Sequence, residues 1–299
     1  MKKTIKIIMT FDIDPDDHYL PRSDRKKNHW RGLSMGSKII TMELKKRFKK
    51  FVPISWFVRV DDEIKNDFGS YLGLFQKYKK IFNYLKKKNG KFYLHPHLFK
   101  FDKKEGVWNQ ETNDKKNLLQ LNKIYSEKKL SKFVNLKVIR IGGHYSTKKI
   151  LKFLSMRDVF ADCSSLPGRK GNYDRPFNWM NTKKIPHYIY FSRSHKLLEI
   201  PPSMIKIKAD YDKKAYPRYL DLTFKSDLFS KSLGTLNLKS KNLITISHPC
   251  QLLNNNKNSH GLLGYGINNF IKNLNNLISY LKKKNISYKF DYIENVNLK

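Results

Sequence analysis

The stretch TIKIIMTFDID, residues 4–14, is the part of the sequence that decides the fold. Its apolar side chains follow one another almost without interruption as far as Phe11, which is typical of a parallel strand buried on both faces. Asp12 and Asp14 end this strand and, as residues i and i+2, point to one face. Two such carboxylates repel each other unless a cation or a proton lies between them, so the pair predicts either a cation site or a simple turn before Pro15.

Outward from this strand, apolar segments of strand length alternate with segments of helical spacing. We predict further strands at 53–60, 91–95, 136–141, 158–162, 197–200, 243–247 and 286–292, and helices at 37–51, 70–88, 113–129, 147–155, 219–230 and 266–284. Such alternation indicates an α/β fold with a parallel sheet, and the number of units favours a closed or nearly closed, TIM-like barrel. We expect a single catalytic domain over residues 1–299.

The chain is strongly basic. Its 299 residues include 61 Lys+Arg against 25 Asp+Glu, a formal net charge of +36, and 39% of them are hydrophobic, which excludes a disordered chain. Lysine and asparagine are abundant throughout, and the sequence shows no zinc-finger, RNP-type or Arg-rich motif, so nucleic acid is disfavoured as a partner. The excess charge suits an anionic substrate, and it leaves peripheral contact with an anionic membrane face open.

The two cysteines, Cys163 and Cys250, are too few for a disulfide scaffold or a Cys-rich zinc module. No apolar run reaches the length of about 18 residues that a transmembrane helix needs. The apolar run at the start of the sequence is short and interrupted by Lys6, and it lacks the cleavage site of a signal peptide. We therefore expect a cytoplasmic protein.

The predicted strands end in ionisable residues, at the edge where barrels of this kind carry their active sites. His95 and His97 share one face, opposite the acidic end of the first strand. One carboxylate with two histidines is a ligand set for zinc or another divalent metal, with positions left open for water and substrate. We therefore predict a metal site here. The other strand ends carry Arg140, Asp162, Glu199 and His248.

Two of these strand ends leave alternatives open. Arg140 would pair with Asp12 and keep it ionised, while Gly142-Gly143 would either bring backbone N–H groups to a substrate oxygen or form a tight turn. His248 would act as a general acid or as a structural histidine before Pro249.

The remaining histidines and the aromatic segment receive weaker assignments. His144, His187 and His195 are assigned to loops or a substrate groove, and His18 and His29 receive no role. Aromatic side chains in the irregular segment from Tyr173 to Tyr190 either stack on sugar rings or cap the core; they are Phe177, Trp179 and Tyr188.

Five segments, in this order, resemble the motifs of the polysaccharide deacetylase family, the NodB-homology group of carbohydrate esterase family 4. They are TFDID at 10–14, LHPH at 94–97, RIGG at 140–143, DCSS at 162–165 and ISHP at 246–249. The inserted Ile13, the close spacing of His95 and His97, and a missing tryptophan in the fourth segment depart from the family pattern. The resemblance covers most of the chain and implies a distorted (β/α)7-type barrel.

The resemblance also implies residue roles. Asp12 would be the catalytic base, oriented by Arg140, and His248 would be the general acid, supported by Asp162. Asp14, with the histidines of the second segment, would hold the divalent metal, for which zinc is the expected ion. The backbone amide of Gly143 would help to stabilise the oxyanion.

The family reaction is the hydrolysis of an N-acetyl group from an amino sugar. A cytoplasmic enzyme would act on a nucleotide-linked or lipid-linked acetylated precursor of a surface polysaccharide. Two alternatives stay open at this point: a hydrolase of another non-peptide C–N bond, such as that of a ureide or formamide, and a catalytically silent barrel that binds glycan or nucleic acid.

Overall fold

The computed structural model describes residues 3–16, 29–172, 176–253, 261–296 and 298. In these parts of the chain, strands and helices alternate for much of its length. The strands are β1 Thr4–Ile13, β2 Ile54–Arg59, β3 Gly90–His95, β4 Phe99–Asp102, β5 Val107–Gln110, β6 Asn135–Ile139, β7 Ala161–Asp162, β8 His187–Tyr190, β9 Lys196–Glu199, β10 Met204–Ile207, β11 Tyr216–Tyr219, β12 Asn242–Ser247 and β13 Ser287–Phe290. The helices are α1 Ser37–Phe48, α2 Asp62–Phe68, α3 Gly73–Lys77, α4 Lys79–Lys87, α5 Asp114–Tyr125, α6 Lys148–Ser155, α7 Ser226–Ser232 and α8 Ile267–Lys283.

The central sheet is mostly parallel. Its strand order is β12-β1-β2-β3-β6-β7-β9-β8, with β13 paired to the first half of β1. Only the pairing of β8 with β9 is antiparallel among the described pairs of this sheet. Two hairpins, β4–β5 and β10–β11, stand apart from it. The predicted α/β class with a parallel-rich sheet is confirmed.

The first strand is buried on both faces, as its apolar run predicts. Phe11 stacks on Trp56 of β2 and on Phe270 of α8, with ring centroids 5.0 and 5.8 Å apart. Ile8 points the other way, into a separate cluster to which β1 and six other parallel strands of the sheet each contribute. Those contributions are Ile8, Phe57, Tyr93, Val138, Ala161, Leu198 and Ile244.

The sheet therefore curls around an inner apolar cluster. The segment that follows β9 reaches the free edge of β12, where the Ser203 amide donates to the carbonyl oxygen of Ile244 (2.9 Å). A complete ring of strand ladders is not shown by the described residues, because β12 and β8 are the two ends of the strand order. The closed (β/α)7 barrel thus stays a prediction.

Several element boundaries differ from the sequence expectation. The helix predicted at 70–88 is two helices, because the backbone leaves helical geometry at Tyr78. The helix predicted from Tyr219 begins only at Ser226, since Tyr219 ends β11. The strand predicted from Asp158 shrinks to two residues, because Asp158 takes a left-handed conformation with φ 56°. Among the described residues, none of the helices has the length and apolarity to cross a membrane.

Candidate metal centre and active site

Parallel strands place their carboxyl ends at one edge of a sheet, and this edge collects the predicted residues. Asp12 lies in β1, Asp14 directly follows it, and His95 ends β3. Arg140 directly follows β6, and His248 directly follows β12. All five side chains are buried. The structure therefore brings together residues that are far apart in the sequence.

Asp14, His95 and His97 form a compact group whose ligand atoms all lie within 4.8 Å of one another. Nε2 of His97 is 3.2 Å from Asp14 Oδ1, and Nε2 of His95 is 3.6 Å from Asp14 Oδ2. The two Nε2 atoms are 3.2 Å apart. Burial, together with the Arg59 cation, holds the pKa of His97 well below its usual value. The ring is therefore neutral and has a lone pair to offer to a metal ion. This donor set fits a divalent metal ion.

A backbone contact fixes the orientation of His95. Its Nδ1 lies 2.7 Å from the carbonyl oxygen of Arg140, which only accepts hydrogen bonds. Nδ1 therefore carries the proton, and the lone pair of Nε2 faces Asp14. Such an outer hydrogen bond is the usual way in which a metal-ligating imidazole is held in one tautomer.

Arg59, the last residue of β2, was not predicted as a site residue from the sequence. Its guanidinium contacts three carboxylates: Asp14 at 3.4 Å, Asp61 at 2.6 Å and Glu63 at 2.8 Å. Asp61 in turn accepts a hydrogen bond from the backbone amide of His97 (3.0 Å). Arg59 thus positions both the carboxylate and, through Asp61, one of the histidines. The signal was present in the sequence, because Arg59 and Asp61 stand at a strand end like the other site residues.

Arg59→Lys is expected to weaken metal binding by about 10- to 100-fold, the usual effect of losing an outer contact of a metal ligand. Lysine keeps the charge but cannot hold three carboxylates with one planar fork. Titration of the metal-free protein with Zn²⁺ measures this effect. Arg157→Lys, which changes an exposed hydrogen bond to Asn122, is the matched control. Unchanged Zn²⁺ affinity in Arg59→Lys would show that Arg59 does not position the ligands.

The ring of His97 is held by packing. It lies edge-on to Phe99, with ring centroids 4.9 Å apart, and against the backbone of Gly142. A Cβ atom at Gly142 would lie 1.8 Å from Cδ2 and 2.1 Å from Nε2 of His97. The Gly142 amide also donates to the carbonyl oxygen of Pro96 (2.8 Å). Glycine at this position is therefore required for the close approach of two strand-end loops.

Gly142→Ala is expected to displace the His97 imidazole and lower Zn²⁺ affinity at least about tenfold, because one ligand leaves the group. Gly234→Ala is the control, since a Cβ there would meet nothing within 4 Å. Zn²⁺ titration and thermal unfolding of both variants separate loss of the site from loss of the fold. Wild-type Zn²⁺ affinity in folded Gly142→Ala would contradict the placement of His97.

Asp12 and Arg140 form a buried ion pair, as the sequence predicts. The guanidinium also lies 3.9 Å from the ring centroid of Phe57, and its Nε donates to the carbonyl oxygen of Cys163 (3.3 Å). Burial raises the pKa of Asp12, but the charges of Arg140 and, more weakly, of His248 outweigh it and leave the pKa below its usual value. Asp12 is thus an ionised carboxylate, 3.9 Å from His95 Nε2.

His248 faces the same group. Its Nε2 lies 3.3 Å from Asp14 Oδ2, and its backbone amide donates to Oε1 of Gln251 (2.8 Å). Burial lowers the pKa of His248, but the hydrogen bond and charge of Asp14 outweigh it and raise the pKa above its usual value. A raised pKa favours the protonated form of this imidazole, which beside a candidate metal centre is suited to donate a proton.

Asp162 contacts Ser164 and Glu199 in the described part of the chain. Asp162 accepts a hydrogen bond from the Ser164 hydroxyl (2.6 Å), and the same hydroxyl accepts one from the amide of Ile141 (2.8 Å). Its carboxyl group also pairs with Glu199, and burial raises the pKa of both. Asp162 therefore supports the loop that carries Arg140.

Asp221, which the sequence analysis missed, is a third carboxylate whose charge acts on His248, besides Asp14 and Asp12. It is fully buried and accepts hydrogen bonds from Ser247 (2.7 Å) and from the Thr223 hydroxyl (2.8 Å). Asp221 thus contacts Ser247, the residue before His248. It is the alternative to Asp162 as the carboxylate that supports His248.

Some of the remaining expected residues lie near the candidate site, and others do not. The ring of His144 lies 6.2 Å from that of Phe177 and 5.8 Å from that of Tyr219, and its carbonyl oxygen accepts a hydrogen bond from Trp179 Nε1 (2.8 Å). Gly143 is exposed at the site, with φ 64°. His187 and Tyr188 lie in β8, His195 lies in the turn before β9, and His29 is exposed. His18 and Tyr173 lie outside the described residues.

No protein-family model and no curated protein matches the sequence. Solved structures match the fold. One is a proposed polysaccharide deacetylase from Mycobacterium smegmatis, at 12% identity and TM-score 0.55, over 96% of this chain and 87% of that chain. Another is a proposed glycoside hydrolase/deacetylase from Parabacteroides distasonis, at 8% identity and TM-score 0.55, over 97% of this chain and 69% of that chain. Identities this low bear on the fold alone, and we conclude that the chain has a divergent polysaccharide-deacetylase-like fold.

Proposed function

We propose that this protein is a metal-dependent hydrolase that removes an N-acetyl group from an amino sugar, in a precursor of a surface polysaccharide. The observation that carries the proposal is the single buried group in which Asp14, His95 and His97 lie beside the Asp12–Arg140 ion pair and His248. A metal-ligand set, an ionised carboxylate and a protonated imidazole are the groups that amide hydrolysis needs.

Asp14, His95 and His97 would hold the metal, which when bound supplies Lewis acidity at the amide carbonyl and a lowered pKa for water. Zinc is the ion that two imidazoles and one carboxylate favour. The expected single domain and cytoplasmic location stay part of the proposal.

The chain's own residues then move the protons. Asp12, kept ionised by Arg140, takes the proton of the attacking water. The amide of Gly143 donates a hydrogen bond to the oxyanion that forms on the acetyl carbon. The imidazolium of His248 gives its proton to the departing nitrogen, so the C–N bond breaks and acetate and a free amino sugar leave.

A substrate comparison with the Zn²⁺-loaded protein tests the proposal. We expect acetate release from N-acetylglucosamine derivatives and no hydrolysis of a cyclic ureide or a formamide. Preferred hydrolysis of the ureide or formamide would assign the alternative C–N hydrolase. DNA binding with steep salt dependence, without hydrolysis of any of these compounds, would assign the silent binding barrel.

A further inference from the structure

Two arginines, Arg169 and Arg218, lie close together outside the metal centre. Arg169 donates through Nη1 to the carbonyl oxygen of Pro217 (3.1 Å). Arg218, which follows Pro217 in the chain, pairs with Asp212 at 2.6 Å. Burial and the neighbouring Arg218 cation lower the pKa of Arg169, so each guanidinium lies in the field of the other. The two cations share the one carboxylate of Asp212, and this leaves an excess of positive charge at the pair.

The ion pair with Asp212 accounts for only part of this arrangement. Asp212 also accepts a hydrogen bond from the amide of Ala209 (2.8 Å), so the contact with Arg218 Nη2 helps to shape the β10–β11 hairpin. Nε of Arg218, however, is buried and has no hydrogen-bond partner among the described residues. A buried guanidinium donor without an acceptor, beside a second cation, is a place where an anion would be stabilised.

Trp179 and Tyr219 link the two arginines to His144. The backbone of Arg169 is paired with that of Trp179 (2.8 Å), and Trp179 donates to the carbonyl oxygen of His144. On the other side, Tyr219 follows Arg218 in β11, and its ring lies 5.8 Å from that of His144.

His144 borders the catalytic group as well. The charges of Asp12 and Arg140 both act on its ring. Burial lowers the pKa of His144 to about 4, so this ring is uncharged at neutral pH. Interactions therefore link Asp12 and Arg140 to His144, His144 to Tyr219, and Tyr219 to Arg169.

We propose that Arg169 and Arg218 bind a phosphate group of the substrate, so that the protein acts on an acetamido sugar linked to phosphate or pyrophosphate. This inference rests on the proposed deacetylase function. The acetamido group would face the metal centre, the sugar ring would lie against His144 and Tyr219, and the anomeric phosphate would reach the guanidinium groups. Guanidinium forks bind phosphate oxygens with paired hydrogen bonds, which lysine does not reproduce.

The test compares UDP-N-acetylglucosamine with N-acetylglucosamine in the wild type, Arg169→Gln and Arg218→Lys. Arg218→Lys keeps a cation for Asp212 but loses the fork, and Arg157→Gln is the control at a distant exposed arginine. We expect Arg169→Gln and Arg218→Lys each to lower kcat/KM for the UDP-linked sugar about tenfold or more, mainly through KM, with little change for the free sugar. An equal loss on both substrates would overturn the subsite.

Binding of inorganic pyrophosphate separates this inference from the proposed function. Calorimetric titration should show pyrophosphate binding to the wild type and at least about tenfold weaker binding to Arg169→Gln. Absence of acetate release from every sugar, with this binding pattern intact, would overturn the function and keep the anion site. Acetate release without pyrophosphate binding or UDP preference would overturn only the anion site. A short prenyl-diphosphate sugar as third substrate distinguishes a lipid carrier from a nucleotide, and either source requires Arg169.

Discussion

Asp12→Asn is expected to lower kcat by about 10² to 10⁴-fold while the metal stays bound, since this is the usual contribution of a positioned general base. Asparagine keeps the size and a hydrogen-bond acceptor for Arg140, but it cannot take the proton of water. Asp12 lies outside the group whose ligand atoms lie within 4.8 Å of one another. Acetate release and elemental analysis of the same preparation measure both parts of this result.

Asp227→Asn, the same chemical change at an exposed position of α7, is the control for this variant. Near-normal turnover in Asp12→Asn would remove Asp12 from the role of base. Loss of the metal in the folded variant would instead make Asp12 a ligand.

Asp14→Ala and His97→Ala are each expected to remove the bound metal and to abolish acetate release. Each variant takes one of three protein ligands from the group, and two ligands do not retain a divalent ion against water at ordinary concentrations. Metal content after reconstitution and exhaustive dialysis measures the loss. His195→Ala, in the turn before β9, is the matched histidine control and should keep both metal and activity.

His248→Ala tests whether the ligand set is complete, because Nε2 of His248 lies only 3.3 Å from Asp14. We expect this variant to keep the metal and to lose turnover, as a general acid should. Retention of metal and activity in either Asp14→Ala or His97→Ala would contradict the proposed centre. Loss of metal in His248→Ala would instead show that His248 is a fourth ligand.

Much of this site could be predicted from the sequence, because parallel strands place their carboxyl ends together. Asp12, Asp14, His95 and Arg140 each follow an apolar run, and the structure brings them to one edge. Asp61 shows where this reasoning failed. Although it follows a predicted strand, it is the N-cap of α2, a short helix that the sequence pattern did not predict, so its contacts with Arg59 and with the amide of His97 were not foreseen.

The role of Asp221 beside His248 could not be predicted either, and the physical reason is a different one. Asp221 lies in a segment whose spacing suggested a helix, but the β10–β11 hairpin ends at Tyr219 and leaves Asp221 in a buried turn. Its contact with Ser247 joins positions 26 residues apart and depends on how this turn meets β12. Local periodicity carries no information about such a contact.

The central claim is that Asp14, His95 and His97 form a metal centre that amide hydrolysis requires, and metal content tests it most directly. Elemental analysis of the wild-type protein, before and after chelation and after reconstitution with Zn²⁺, should be paired with acetate release. We expect about one divalent ion per chain, lost with activity on chelation and regained with activity on reconstitution. A folded chain that binds no divalent ion after reconstitution, or that releases acetate equally well without one, would contradict this account.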